Sequence, residues 1–143
     1  MIKGGELMTY AFDTNIIIHY LRHNLNVQQN ILNATMDGHD MVIPKMVDYE
    51  LRRGFSISPS AKNETHYKTL LEQCKIAEVE NTTWEHAIQI YTGLYHKRFT
   101  VGEMDILIAA LCLANDYILV TANTKDFKNI EGLKIVDWTQ PQQ

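Results

Sequence analysis

Tyr10-Ala11-Phe12-Asp13-Thr14-Asn15-Ile16-Ile17-Ile18 holds the decisive local pattern of the chain. Three consecutive apolar residues suit a short buried strand. Asp13 or Thr14 then offers a side-chain oxygen to the first free backbone N–H groups of a helix, and residues 16–21 can continue that helix. A strand that runs straight into a capped helix is the first half of a βα unit, and it places Asp13 at the carboxyl end of its strand.

The same grammar repeats downstream. A helix is expected over residues 25–36, closed by Asp37-Gly38, followed by a strand at Met41-Val42-Ile43. Pro44 suits the first turn of the next helix, which carries Val47, Glu50, Leu51 and Gly54. Ser58-Pro59-Ser60 separates it from a helix around residues 61–74, and residues 76–79 form a weaker strand signal. Trp84, Ala87, Ile88, Tyr91 and Tyr95 recur at helical spacing within residues 83–98, whereas residues 106–114 are apolar on every side and read as a buried helix. Residues 117–120 are a strong strand signal and 133–136 a weaker one. Strands alternating with helices predict an α/β protein, a three-layer α/β/α sandwich with a largely parallel central sheet. No repeat or low-complexity linker divides the chain, so residues 1–143 read as one domain. Met8-Thr9-Tyr10 would itself open an α/β protein normally, which makes residues 1–7 an expected dispensable extension from an upstream start codon.

With 143 residues the chain has the size of one ordinary domain. No apolar run approaches the roughly 18 residues that would cross a bilayer, and the first six residues lack the apolar stretch of a secretory signal. A cytoplasmic protein with no membrane association is expected. Cys74 and Cys112 show neither CxxC nor Cys/His spacing, and read as buried free thiols. The net charge of −4 weighs against a nucleic-acid binder, so such a function must use local Lys/Arg clusters or cations that invert the local field.

Carboxylates are where the chain departs from a bland α/β protein. Asp13 follows the first strand, where parallel sheets collect their ligands, although capping alone would also explain it. Glu50 lies beside the apolar positions Met46, Val47 and Leu51, with Gly54 leaving room one turn later; pairing with Arg52 or Arg53 is its ordinary alternative. Asp105 heads a helix with no polar face, and a charge there calls for compensation by the helix N-terminus or by a cation. Thr121-Ala122-Asn123-Thr124-Lys125-Asp126-Phe127 places small polar and acidic groups after the strongest strand, as a turn would.

In that order and spacing, Phe12-Asp13-Thr14-Asn15, Tyr49-Glu50-Leu51-Arg52-Arg53-Gly54, Asp105-Ile106-Leu107-Ile108-Ala109-Ala110 and Thr121 to Phe127 resemble the PIN-domain ribonucleases, and most closely the VapC-type toxins of bacterial toxin-antitoxin pairs. The closing Gly132-Leu133-Lys134-Ile135-Val136-Asp137-Trp138 is similar to that family's last strand. The resemblance implies a PIN-like fold and an acidic core of Asp13, Glu50 and Asp105, with Asp126 as the favoured fourth member and Asn123 as its alternative. It assigns Thr121 to orienting Asp13 or a bound water. Ile43-Pro44-Lys45 replaces the small hydroxyl residues of many relatives, and Glu103 adds an acid close to Asp105. The resemblance further implies RNA as substrate, a homodimer, and a small antitoxin protein that covers the site.

Oxygen ligands without a Cys or His set favour Mg²⁺ or Mn²⁺, and the implied chemistry is metal-assisted hydrolysis of an RNA phosphodiester. Arg52, Arg53 and Lys125, with Lys45, Lys97 and Arg98, are the candidate phosphate contacts. Tyr91, Tyr95 and Phe99 could stack on bases, but such spacing more often serves a core or a dimer. A haloacid-dehalogenase phosphatase would need a second Asp where Asn15 stands, and a receiver domain would need paired acids after the first strand. The remaining alternatives are a housekeeping RNA-processing nuclease and a non-catalytic PIN-like scaffold.

Overall fold

The computed structural model describes residues 5–142; residues 1–4 of the expected extension lie outside them. Strand β1 (Thr9–Phe12) leads into helices α1 (Thr14–Leu21) and α2 (Leu25–Met36). Strand β2 (Asp40–Pro44) is followed by α3 (Lys45–Ile57) and α4 (Ala61–Leu71), and β3 (Lys75–Ala77) by α5 (Asn81–Lys97) and α6 (Glu103–Asn115). Then come β4 (Ile118–Val120), a short α7 (Thr124–Phe127) and β5 (Ile135–Val136). Pro44 ends β2 and stands at the N-cap of α3 rather than inside its first turn.

All strand pairs are parallel, in the order β3-β2-β1-β4-β5. The chain moves one way from β1 through β2 to β3, then returns across β1 to β4 and β5. With right-handed crossovers this reversal places α1 to α4 on one face of the sheet and α5 and α6 on the other. It also puts the topological switch point between β1 and β4, the crevice where open parallel sheets bind ligands. Asp13 leaves β1 and Thr121 leaves β4 at that crevice. Asp13 also donates its backbone N–H to Val120 at 2.9 Å, which holds the two strand ends together.

The core is built from the inner strands and one helix. Ala11, Phe12, Ile43, Leu119 and Val120 are fully buried, as are Ile108 to Cys112 of α6. An apolar surface on every side of α6 is therefore matched by burial on every side. Trp138 packs on Tyr10 and Phe12, with ring centroids 4.8 and 5.6 Å away. Buried Asn30 of α2 donates to the carbonyl oxygens of Trp138 and Gln140 and ties the end of the chain to the second helix.

Helix α5 forms as its spacing predicts, and the structure settles which side faces inward. Its buried residues are Thr83, Ala87, Ile90 and Leu94, while Trp84, Ile88, Tyr91 and Tyr95 face outward, with Trp84 52% and Tyr95 68% exposed. Two apolar stripes share the helix, and the one with smaller residues packs against α6. Cys112 is buried and Cys74 half-buried, both as free thiols, and loss of hydration pushes the Cys74 thiol up to about 12. No helix among the described residues is long and apolar enough to cross a membrane.

Candidate active site

Each acidic candidate reaches the carboxyl edge of the sheet by a different route. Asp13 is fixed by the turn from β1 into α1, where it is the N-cap and only 6% exposed. Its Oδ1 accepts from the Thr14 backbone N–H at 2.8 Å. Its Oδ2 accepts from the Thr121 hydroxyl at 2.8 Å and the Asn15 amide at 3.1 Å. Loss of hydration raises its pKa, three hydrogen bonds oppose that rise, and the charge of Glu50 adds to it.

Glu50 projects from α3 and is half-buried. Its Oε1 accepts from the Thr14 hydroxyl at 2.9 Å, so one turn of chain, residues 13–15, carries both an acid and the holder of a second acid. Asp105 lies in the first turn of α6. Burial pushes its carboxyl up to about 6, and the charges of Asp13, Asp126 and Glu50 push in the same direction. This shared field joins the four acids: each of the other three acts on Asp105.

Asp126 stands on α7, a short helix where the sequence pattern suits a turn. Its side chain is exposed and accepts from the Asn123 amide at 2.9 Å. Asn123 is therefore the partner of the fourth acid as well as its rival for the site. Thr121 is fully buried; its hydroxyl donates to Asp13 and accepts from the Asn123 backbone N–H at 3.0 Å. Glu103 is exposed and lines a groove with Trp84, Ile88, Tyr91 and Leu107.

The cationic candidates divide similarly. Arg52 reaches the buried carboxylate of Asp48 at 3.7 Å, and Arg53 lies over the Tyr49 ring, 5.0 Å from its centroid. Lys45 pairs with Glu78 at 3.7 Å, and Lys125 is exposed on α7. Lys97 lines a cleft with His86, Gln89 and Glu131. Arg98 caps α5 in the left-handed region, with φ of 61°.

Two residues that the sequence assigns no site role, Thr14 and Asn15, hold central positions here. Asn15 donates to Asp13 and, at 3.3 Å, to the Thr121 hydroxyl, while its Oδ1 accepts from the Ala122 backbone N–H at 3.0 Å. Glu50, the partner of Thr14, lies 36 residues downstream, and Thr121 and Ala122, partners of Asn15, more than a hundred, so no local pattern signals them.

Among the described residues, no three acidic, histidine or cysteine side chains close on one point tightly enough to enclose an ion as they stand. The donor set, all oxygen, fits a hard divalent cation; burial raises the Asp105 carboxyl first and the neighbouring carboxylates add to it, and a cation would offset both.

The chain is similar to known proteins in sequence and fold. A family model described as PIN domain matches residues 10–133. The chain is 28% identical over 132 residues to Ribonuclease VapC2 of Rickettsia felis, covering 92% of this chain and 98% of that protein. A solved structure of VapBC2 from Rickettsia felis, bound to a DNA fragment from their promoter, superposes with a TM-score of 0.84 at 27% identity, covering 92% of this chain and 99% of the other. A structure of VapBC-1 from nontypeable Haemophilus influenzae gives 0.83 at 24% identity over 93% of this chain and all of the other, a likeness of fold.

Proposed function

Because the chain belongs to the PIN-domain family, we propose that it is a metal-dependent ribonuclease that hydrolyses RNA phosphodiester bonds and serves as the toxin of a toxin-antitoxin pair. The observation that carries this reading is the hydrogen-bonded geometry at the switch point of the sheet, where Thr14 ties Glu50 of α3 to the β1–α1 turn and Thr121 ties Asp13 to the end of β4. Similarity to a protein named Ribonuclease VapC2 along nearly the whole of both chains supplies the substrate class.

Asp13, Glu50, Asp105 and Asp126 would hold the cation, and Mg²⁺ or Mn²⁺ suits their oxygens. When bound, the ion supplies charge stabilisation at the scissile phosphate and a water acidic enough to attack it at neutral pH. The residues of the chain do the rest. Thr121 keeps one face of Asp13 turned into the protein, Thr14 restrains Glu50, and Asn123 restrains Asp126. Lys125, Arg52 and Arg53 flank the acids and would contact the RNA backbone. In this reading the protein works in the cytoplasm as a homodimer, is held inactive by a small antitoxin, and folds as one domain to which residues 1–7 are dispensable.

The test is cleavage of total cellular RNA with Mg²⁺ or Mn²⁺ by the wild type, Asp13→Asn and Asp105→Asn, with an EDTA control. Metal-dependent cutting lost in both variants is the expected result. Equal cutting by all three, or cutting that survives EDTA, would overturn it.

A further inference from the structure

A carboxylate oxygen has two lone-pair directions available to hydrogen-bond donors. Asp13 Oδ2 uses both, one on the Thr121 hydroxyl and one on the Asn15 amide. Asp13 Oδ1 accepts from the Thr14 backbone N–H, which leaves one direction open at that atom. Asn15 determines this asymmetry. Without its amide, Oδ2 would also have an open direction and the carboxylate could turn about its last bond.

The same carboxamide reaches further. One N–H bonds Asp13 and the other the Thr121 hydroxyl at 3.3 Å, while Oδ1 accepts from Ala122. Three of its four hydrogen-bonding capacities are used, across the crevice between the ends of β1 and β4. A carboxamide carries donors and an acceptor on one planar group, so the same side chain bonds a carboxylate and a backbone N–H at fixed relative positions. An Asp at this position would keep the acceptor, lose both donors and bring a second negative charge against Asp13.

We propose that Asn15 is a positioning residue for the metal site: its carboxamide clamps Asp13 to the Thr121–Ala122 turn so that Asp13 presents Oδ1 alone to the cation. The inference rests on the acidic-site reading above and adds a residue that does not itself touch metal or substrate. Partners that orient a metal ligand typically contribute 10- to 100-fold in metal affinity or activity, and an effect of that order is expected here.

The experiment measures Mn²⁺ binding by calorimetry and the Mn²⁺ concentration for half-maximal RNA cleavage, for the wild type, Asn15→Ala, Asn15→Ser and Asp13→Asn. Asn15→Ala should weaken Mn²⁺ binding roughly 10- to 100-fold and shift the half-saturating concentration equally, with KM for RNA unchanged and kcat recovering at saturating Mn²⁺. Asn15→Ser, which restores a small donor, should lie between Ala and the wild type, and it covers the case in which the Ala variant folds poorly. Wild-type Mn²⁺ binding in a folded Asn15→Ala or Asn15→Ser variant would overturn the positioning role alone. Absence of Mn²⁺ binding by the wild type would overturn the metal-site reading, and this inference with it.

Discussion

Thr14 Oγ1 donates a 2.9 Å hydrogen bond to Glu50 Oε1 and joins the first residue of α1 to the middle of α3. An acid on a partly exposed helix would otherwise sample several rotamers, and holding it costs side-chain entropy that the hydroxyl bond offsets. Thr14→Val keeps the shape and removes the bond. Stability should fall by about 0.5–1.5 kcal/mol and kcat by about 10-fold or more, as for other partners that orient a metal ligand. Urea unfolding and steady-state cleavage measure the two effects, and an unchanged kcat would show that Glu50 needs no restraint from Thr14.

The free protein should become more stable as pH falls from 7 towards 5. The Asp105 carboxyl is raised to about 6 against an ordinary 3.8, so between those values the folded form holds more protons than the unfolded form. Stability from this group is fully present below about 4 and is lost as pH rises through 6. Asp13 is shifted in the same direction. His66, whose pKa is lowered by burial and by the charges of His23 and Lys62, opposes the trend as it becomes protonated. Thermal melts in EDTA should show Tm rising on mild acidification, less so in Asp105→Asn. Millimolar Mg²⁺ should raise Tm at pH 7 and reduce the acid effect, because the cation favours the ionised carboxylates. A melting temperature that falls steadily from pH 7 to 5 in both proteins would contradict this account.

How much of this could be read in advance depended on distance along the chain. Asp13 was legible because a three-residue apolar run ends at it. Helix α6 was legible because residues 106–112 admit no solvent face, and all of Ile108 to Cys112 are buried. Helix α7 was not, since Asn123, Thr124 and Asp126 serve turns and first helical turns equally well. In α5 the period announced a helix but not its inward side, because two stripes were apolar and the larger residues face outward. Thr14 and Asn15 were beyond reach for a different reason. Their partners, Glu50 and Thr121–Ala122, lie 36 and more than a hundred residues away, and only the sheet order brings them together.

Asp48 is a buried acid with a structural partner. It is 6% exposed, accepts from the Tyr67 hydroxyl at 2.7 Å and has the exposed Arg52 at 3.7 Å. Burial and the nearby carboxylate raise the Tyr67 pKa well above its ordinary value, which keeps the phenol protonated as a donor. Tyr67→Phe would leave the carboxylate buried with a distant ion pair, at a cost of about 1.5–3 kcal/mol. Chemical denaturation should show this as a lower midpoint with an unchanged slope, and a loss under 0.5 kcal/mol would mean that Arg52 or water replaces the phenol.

Thr83 offers the opposite test. It is fully buried in the first turn of α5, and its hydroxyl has no hydrogen-bond partner among the described residues. A buried unsatisfied hydroxyl costs on the order of 1–3 kcal/mol relative to an apolar group of the same shape. Thr83→Val supplies that shape, since the two side chains are equally branched and of similar helix propensity. The substitution should therefore raise Tm by about 2–4 °C for each kcal/mol gained and leave RNA cleavage unchanged, because α5 carries none of the four acids. A loss of stability in this variant would mean that the hydroxyl has a partner, such as a buried water, that compensates its desolvation.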